Sequence, residues 1–305
     1  MAEKSFSFKI LFCKTIDLKE RDKLCIIVIP LFRRNVNMNL SEKAAQLRID
    51  IINELYEAQS GHPGGSLSCI DTLVALYYNV MNVRPEEPRW EDRDRFVLSK
   101  GHCCPALYAV LADKGYFPKS ELGTLRKFGS HLQGHPDMRK TKGIDANTGS
   151  HGQGISIAMG MALAAKLGKK TYHVYTMVGD GECQEGLVWE AAMAAAHYKL
   201  DNFTVILDHN GLQIDGRNCD VMDIGDICAK FAAFGFDTVT VDGHDIDAVT
   251  AALKAPHTPG KPKFVCCETV KGKGVSFMEN NPAWHGAAIK AADYEAAMKE
   301  LEVQH

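Results

Sequence analysis

Val174–Glu182 reads Val-Tyr-Thr-Met-Val-Gly-Asp-Gly-Glu. Five residues rich in β-branched and aromatic side chains run straight into a glycine-bracketed aspartate. That pattern predicts a buried strand ending in a tight loop. Further on, Phe203–Leu207 (FTVIL) runs in the same way into Asp208-His209-Asn210-Gly211. Arg95–Ser99, Phe236–Val241 and Phe264–Val270 are three more short β-rich runs. Helical stretches separate them at Leu67–Met81, Pro105–Lys114, Ile155–Leu167, Leu187–Tyr198, Ile224–Phe234, Ile246–Leu253 and Ile289–Leu301. Strands alternating with helices predict an α/β fold, a parallel sheet with helices on both faces.

Open α/β sheets bind ligands at the carboxyl ends of their strands. Asp180 and Asn210 then offer oxygen ligands from two such loops. A hard cation such as Mg²⁺ wants those oxygens, with phosphate oxygens and water completing its shell. Gly179 and Gly181 let the backbone approach a diphosphate closely, and a helix starting near Gln184 would aim its amide end at the anion. Gly-Asp-Gly alone is a common turn. The asparagine after the next strand turns it into a candidate cation and diphosphate site.

Outward from this centre, Met38-Asn39-Leu40-Ser41 opens a helix, with Ser41 as the expected N-cap. Leu40, Ala44, Leu47, Ile51, Leu55 and Ala58 form its apolar face. Residues 1–37 show no such periodicity and read as an extension ahead of one domain spanning 38–305. Gly123–Gly154 is rich in glycine and histidine without periodicity, and a loop that long inside a domain is usually functional. His62, His102, His135 and His285 each stand beside glycine or proline on expected loops, where binding groups concentrate. A lone histidine is more often structural, but imidazole suits proton transfer near neutral pH. Gly152-x-Gly154 and Gly272-x-Gly274 do not complete a dinucleotide fingerprint, so NAD binding is rejected.

Composition excludes other classes. The net charge of −3 gives no basic excess for bulk nucleic-acid binding. An apolar fraction of 46% excludes a mostly disordered chain. The ten cysteines form no C-x-x-C and read as reduced, packed thiols, consistent with a cytoplasmic protein. Leu24–Phe32, the longest apolar stretch, is broken by Pro30 and too short to span a membrane.

Eight motifs carry a resemblance. They are Ser60-Gly61-His62-Pro63-Gly64; Leu98-Ser99-Lys100-Gly101-His102; Gly134-His135-Pro136; Thr148-Gly149-Ser150 with Gly152-Gln153-Gly154; Gly179-Asp180-Gly181; Asp208-His209-Asn210-Gly211; Thr269-Val270-Lys271-Gly272-Lys273-Gly274; and Trp284-His285-Gly286. In this order, with similar gaps, they resemble the N-terminal, diphosphate-binding half of transketolase, a thiamine diphosphate enzyme. The resemblance implies that fold, and Asp180, Asn210 and the Leu212 carbonyl as ligands of Mg²⁺ or Ca²⁺. It implies that Gly149, Ser150, Gly179 and Gly181 line the cofactor. Lys100, His102, Lys271 and His285 would surround the diphosphate or substrate, and His62 and His135 would join His102 and His285 as catalytic groups. Glu185 matches a glutamate of the acidic network between active sites; its plain alternative is a first-turn residue favoured by the helix dipole. His151 stands where the family usually has leucine, either as a polar lining group or as a tolerated replacement.

In the family the glutamate that activates the cofactor lies in a following pyrimidine-binding domain, which this sequence lacks. The expectation is therefore the N-terminal subunit of a split transketolase, paired as α2β2 with a chain carrying that domain. It would move a two-carbon ketol unit from a ketose to an aldose, without nucleic acid or membrane partners. The rival readings are the α subunit of a 2-oxo acid dehydrogenase, which lacks reason to carry these histidine motifs together, and a non-catalytic cofactor-binding paralogue.

Overall fold

Five parallel strands make the central sheet: β1 (Arg95–Leu98), β2 (Val174–Gly179), β3 (Phe203–His209), β6 (Asp237–Asp242) and β7 (Lys263–Glu268), in the spatial order β1-β2-β3-β7-β6. This computed structural model describes residues 39–303; the extension expected at 1–37 lies outside them. All five strands expected from the sequence are present. β1, β2, β3 and β7 are apolar on both sides because helices cover both faces. β6 and β1 are the two edges of this sheet; the exposed threonines and terminal aspartates of β6 suit that position. A two-stranded antiparallel ribbon, β4 (Leu212–Gln213) and β5 (Gly216–Arg217), follows β3.

One face packs against α1 (Leu40–Ala58), α2 (Pro63–Val74), α3 (Cys104–Lys114), α8 (Ile246–Lys254) and α9 (Ala291–Val303). Sheet residues Phe96, Leu98, Met177, Ile206, Val265 and Cys267 share one core with Leu47, Ile51, Leu55, Ile70 and Leu107 there. The other face packs against α4 (Gln153–Leu167), α5 (Gly186–His197) and α7 (Ile227–Phe234), through Val97, Val178, Leu207 and Phe264. A short α6 (Asn218–Val221) precedes α7. Parallel crossovers are right-handed, so reversing direction along the sheet from β6 to β7 moves the connecting α8 to the opposite face from α7.

Several boundaries differ from expectation. α1 is capped by Asn39, whose side chain accepts the Ser41 amide at 3.1 Å, so Ser41 is inside the helix. The helix expected at Leu67–Met81 starts earlier, at Pro63, and widens into a π-helical segment at Ala75–Val80. Proline at the first helical turn suits the missing N–H, and Gly64 and Gly65 conceal that turn from apolar periodicity. Residues 125–152 hold neither helix nor strand, as the glycine and histidine content predicted. The eight cysteines among the described residues are free thiols, and no helix among these residues is long and apolar enough to cross a membrane.

Candidate active site

The chain leaves β1 toward α3 on one face and leaves β2 toward α5 on the other, which opens a crevice at their carboxyl ends. A cleft of about 210 Å³ lies there. Lys100 after β1, Asp180 after β2, Asn210 after β3 and Lys271 after β7 all line it.

Asp180 is 3% exposed. Its carboxylate accepts the Gly181 and Gly211 amides at 2.7 and 2.5 Å, which fixes it against the Asn210 turn. No cationic side chain forms an ion pair with Asp180 among the described residues. Burial therefore raises its pKa, and the nearby Asp208 charge adds to the effect, against the bond from Asn218. Asn210 Oδ1 accepts the Leu212 amide at 3.1 Å, and the Leu212 carbonyl accepts Lys271 Nζ at 3.1 Å. One buried carboxylate without an ion-pair partner, an amide oxygen and a main-chain carbonyl suit a hard divalent cation. A divalent ion here would neutralise a charge that the protein leaves uncompensated.

Two carboxylates that the sequence reading did not assign hold the loops. Glu182 is 2% exposed and accepts Ser99 Oγ at 2.6 Å, the Gly152 amide at 2.8 Å and the Gly179 amide at 3.1 Å. The pull of Glu182 back to Gly179 coils residues 181–184 into a 3₁₀ turn. α5 consequently starts at Gly186, one residue before the expected Leu187–Tyr198 stretch and after the helix start placed near Gln184, with Glu185 as its exposed cap. Asp208 is 1% exposed and forms an ion pair with Lys100. It also accepts Ser68 Oγ at 2.6 Å, Asn210 Nδ2 at 3.1 Å and Thr269 Oγ1 at 2.7 Å. Burial pulls the Lys100 ammonium down, but the Asp208 charge and hydrogen bond, together with the neighbouring Cys103 and Cys69, hold its pKa well above the ordinary value. Lys100 thus serves the floor of the cleft through an ion pair.

The glycines of Gly152-Gln153-Gly154 have separate reasons. Gly152 takes φ +77° to turn its amide onto Glu182. A Cβ on Gly154 would lie 2.5 Å from Ser99 Cα, so α4 packs on the end of β1 only through glycine.

The histidines gather. The His62 ring lies 5.1 Å from that of His102, 5.5 Å from that of His285 and 6.4 Å from that of His135, and His102 is 5.4 Å from His151. His102, His151 and His285 line the cleft, whereas His62 and His135 extend the cluster beside it. Burial, with His102 beside it, lowers His62 to about 4. Burial, with the Lys271 ammonium 3.0 Å from its Nδ1, lowers His285 to about 3. Burial and Arg126 lower His135. Burial lowers Lys271 as well. His62, His135 and His285 therefore stand as neutral imidazoles near the Lys271 side chain. Gly179, Gly181 and Glu185 line the cleft too. Gly149 and Ser150 do not; Gly149 backs onto the His135 ring. Gln184 from the 3₁₀ turn and Gln213 and Ile214 from the ribbon region also line the wall; the Asp215-Gly216 pair is a turn signal that could have flagged the ribbon, which the sequence reading did not assign.

Fold and cleft together define an α/β domain with a ligand cleft at the carboxyl ends of its parallel strands. Residues 39–305 match the family described as transketolase, thiamine diphosphate binding domain, and the chain belongs to that family. An apulose-4-phosphate transketolase subunit of Phocaeicola vulgatus is 43% identical over 262 residues, 86% of this chain and 92% of that protein. The 6-deoxy-6-sulfo-D-fructose transketolase subunit SqwG of Clostridium sp. (strain MSTE9) is 44% identical over 266 residues, 87% of this chain and 97% of that protein. The structure of a Pichia stipitis transketolase complex with sedoheptulose 7-phosphate superposes with TM-score 0.82 at 32% identity, covering 86% of this chain and 41% of that one. The dehydrogenase reading falls with this match.

Proposed function

We propose that this chain is the N-terminal subunit of a split transketolase. It transfers a two-carbon ketol unit from a ketose to an aldose acceptor, using thiamine diphosphate and Mg²⁺ or Ca²⁺. A second chain supplies the pyrimidine domain and its activating glutamate, in an α2β2 assembly. The observation that carries the reading is the match to relatives that are themselves named as transketolase subunits. The chain spans 92% and 97% of two relatives named as transketolase subunits, but 41% of a one-chain transketolase. The cleft supports it: about 210 Å³ is below the ~300–1,000 Å³ usual for a whole small-molecule site.

Asp180, Asn210 and the Leu212 carbonyl hold the cation, and Gly179 and Gly181 border the diphosphate. Thiamine diphosphate, when bound, supplies the stabilised carbanion that carries the two-carbon unit. Neutral His62 and His285 accept protons from sugar hydroxyls, while His102 and His135 bond to them. Lys271 offers a positive donor to the anionic ligand. The relatives are named for ketoses that carry a phosphate or a sulfonate. The donor here is accordingly a ketose with an anionic end, and His151 gives that substrate a polar wall. If the donor is a pentose phosphate, the reaction belongs to pentose phosphate interconversion.

The test is ketol transfer from xylulose 5-phosphate and from 6-deoxy-6-sulfofructose to an aldose phosphate, with thiamine diphosphate and Mg²⁺. The chain is assayed alone and mixed with a C-terminal transketolase subunit of the same organism. Turnover in the mixture alone is expected. Turnover by the isolated chain would refute the two-chain reading, and cofactor binding without turnover on either donor would favour a non-catalytic paralogue.

A further inference from the structure

His209 and Glu268 are register partners at the carboxyl ends of β3 and β7. Cys266, two residues before Glu268, shares its side of the sheet because side chains alternate along a strand. Their ligand atoms, His209 Nδ1, Cys266 Sγ and a Glu268 carboxylate oxygen, all lie within 4.8 Å of one another. No other group of three or more metal-ligating side chains gathers this closely among the described residues. Asp208, which belongs to the cofactor cleft, alternates to the other side.

The geometry points to a second metal site here, taking a thiophilic divalent cation of the Zn²⁺ class through His209, Cys266 and Glu268. Nitrogen, sulfur and carboxylate donors select such an ion, whereas the all-oxygen set of Asp180, Asn210 and Leu212 selects a hard one. Zn–N and Zn–O bonds of about 2.0–2.2 Å and a Zn–S bond of about 2.3 Å, set tetrahedrally, need N···O of about 3.4 Å and S···O of about 3.6 Å. Cys266 Sγ is already 3.7 Å from Glu268 Oε1. His209 Nδ1 is 2.9 Å from the same oxygen, so that pair must open by about 0.5 Å. Both side chains have room to do so, being 37% and 54% exposed, while Cys266 is anchored in the sheet at 1%. The fourth position faces solvent and takes water. As the metal–sulfur bond forms, the Cys266 proton passes to solvent. Cys228, in the first turn of α7, bonds Thr240 Oγ1 at 3.6 Å and also neighbours Cys266, but it is not among the three ligand atoms that lie within 4.8 Å of one another. Because His209 directly precedes Asn210, the ion would clip β3 to β7 immediately behind the cofactor loop.

The experiment uses Co²⁺ as the probe. The full chain is freed of metal with a chelator, dialysed, and given excess Mg²⁺ to fill oxygen sites. Co²⁺ is then titrated while near-ultraviolet thiolate-to-Co²⁺ charge transfer is recorded. We expect a band that saturates at one equivalent and is displaced by Zn²⁺. It should vanish in C266S and persist in C228S and D180A. H209A and E268Q, at exposed positions and checked for fold by circular dichroism, should bind at least about tenfold more weakly. No band in the wild type, a band surviving C266S, or unchanged affinity in both H209A and E268Q would overturn the site. So would dependence on Cys228 or on Asp180.

Discussion

Replacing Glu182 by glutamine keeps the shape of the side chain and removes one acceptor. In the wild type one carboxylate oxygen takes Ser99 Oγ and the Gly152 amide, and the other takes the Gly179 amide. The better glutamine orientation keeps the first pair and turns its NH₂ toward the Gly179 N–H. One buried donor then lacks an acceptor, which costs about 1–3 kcal/mol, and two bonds weaken from charged to neutral. The sum is on the order of 3 kcal/mol. At ~2–4 °C per kcal/mol for chains of this size class, Tm should fall by roughly 6–12 °C in scanning calorimetry. Gly152 opens α4 and Gly179 ends β2, so both walls of the cleft loosen. Affinity for thiamine diphosphate, measured on the mixture with the C-terminal subunit, should drop with it. A Tm within about 2 °C of wild type, with affinity retained, would show that Glu182 does not set these loops.

Other expectations follow from particular contacts. Lys100→Met leaves Asp208 buried without its cation and should destabilise by about 3–5 kcal/mol in urea unfolding, with Lys100→Met/Asp208→Asn losing less than the sum of the two single variants. Gly154→Ala sets a Cβ 2.5 Å from Ser99 Cα, and neither backbone can yield; a loss of about 1–3 kcal/mol or more is expected, and a neutral result would mean that α4 can shift. His173 donates or accepts at Thr204 Oγ1 at 2.9 Å, and burial with His257 beside it lowers its pKa from 6.5 to about 3. The unfolded chain binds that proton below pH ~6.5 and the folded chain does not. Stability is therefore lost as pH falls from about 6.5 toward 3, by up to ~1.4 kcal/mol per pH unit. His173→Asn should flatten the pH dependence of unfolding by that slope, and an unchanged slope would contradict the assignment.

The strands were legible because four of the five are apolar runs closed by turn residues, and a parallel sheet under two helical layers demands that pattern. Asp180 and Asn210 were legible because each follows such a strand. Glu182 and Asp208 stand in the same motifs, but their roles were not visible. Ser99 is 83 positions from Glu182, and Lys100 is 108 positions from Asp208. Only the β1–β2–β3 register brings them together, and no local spacing encodes it. Asn39 displaced Ser41 as cap because both residue types cap equally well, and the apolar stripe does not fix where the first turn begins. The resemblance placed His102, His151 and His285 around the cofactor, and these three line the cleft, while His62 and His135 stand beside them.

The most direct test of the proposed cation and diphosphate site is calorimetric titration of thiamine diphosphate into the chain mixed with the proposed C-terminal subunit. It is run with Mg²⁺ and with EDTA, on the wild type and on Asp180→Asn. Disturbing groups that merely orient metal ligands costs about 10–100-fold in affinity, so removing a ligand's charge should cost at least as much. Binding should require Mg²⁺ and be lost by that margin in Asp180→Asn. Equal binding in EDTA, or in the variant, would contradict the assignment of Asp180 to the cation.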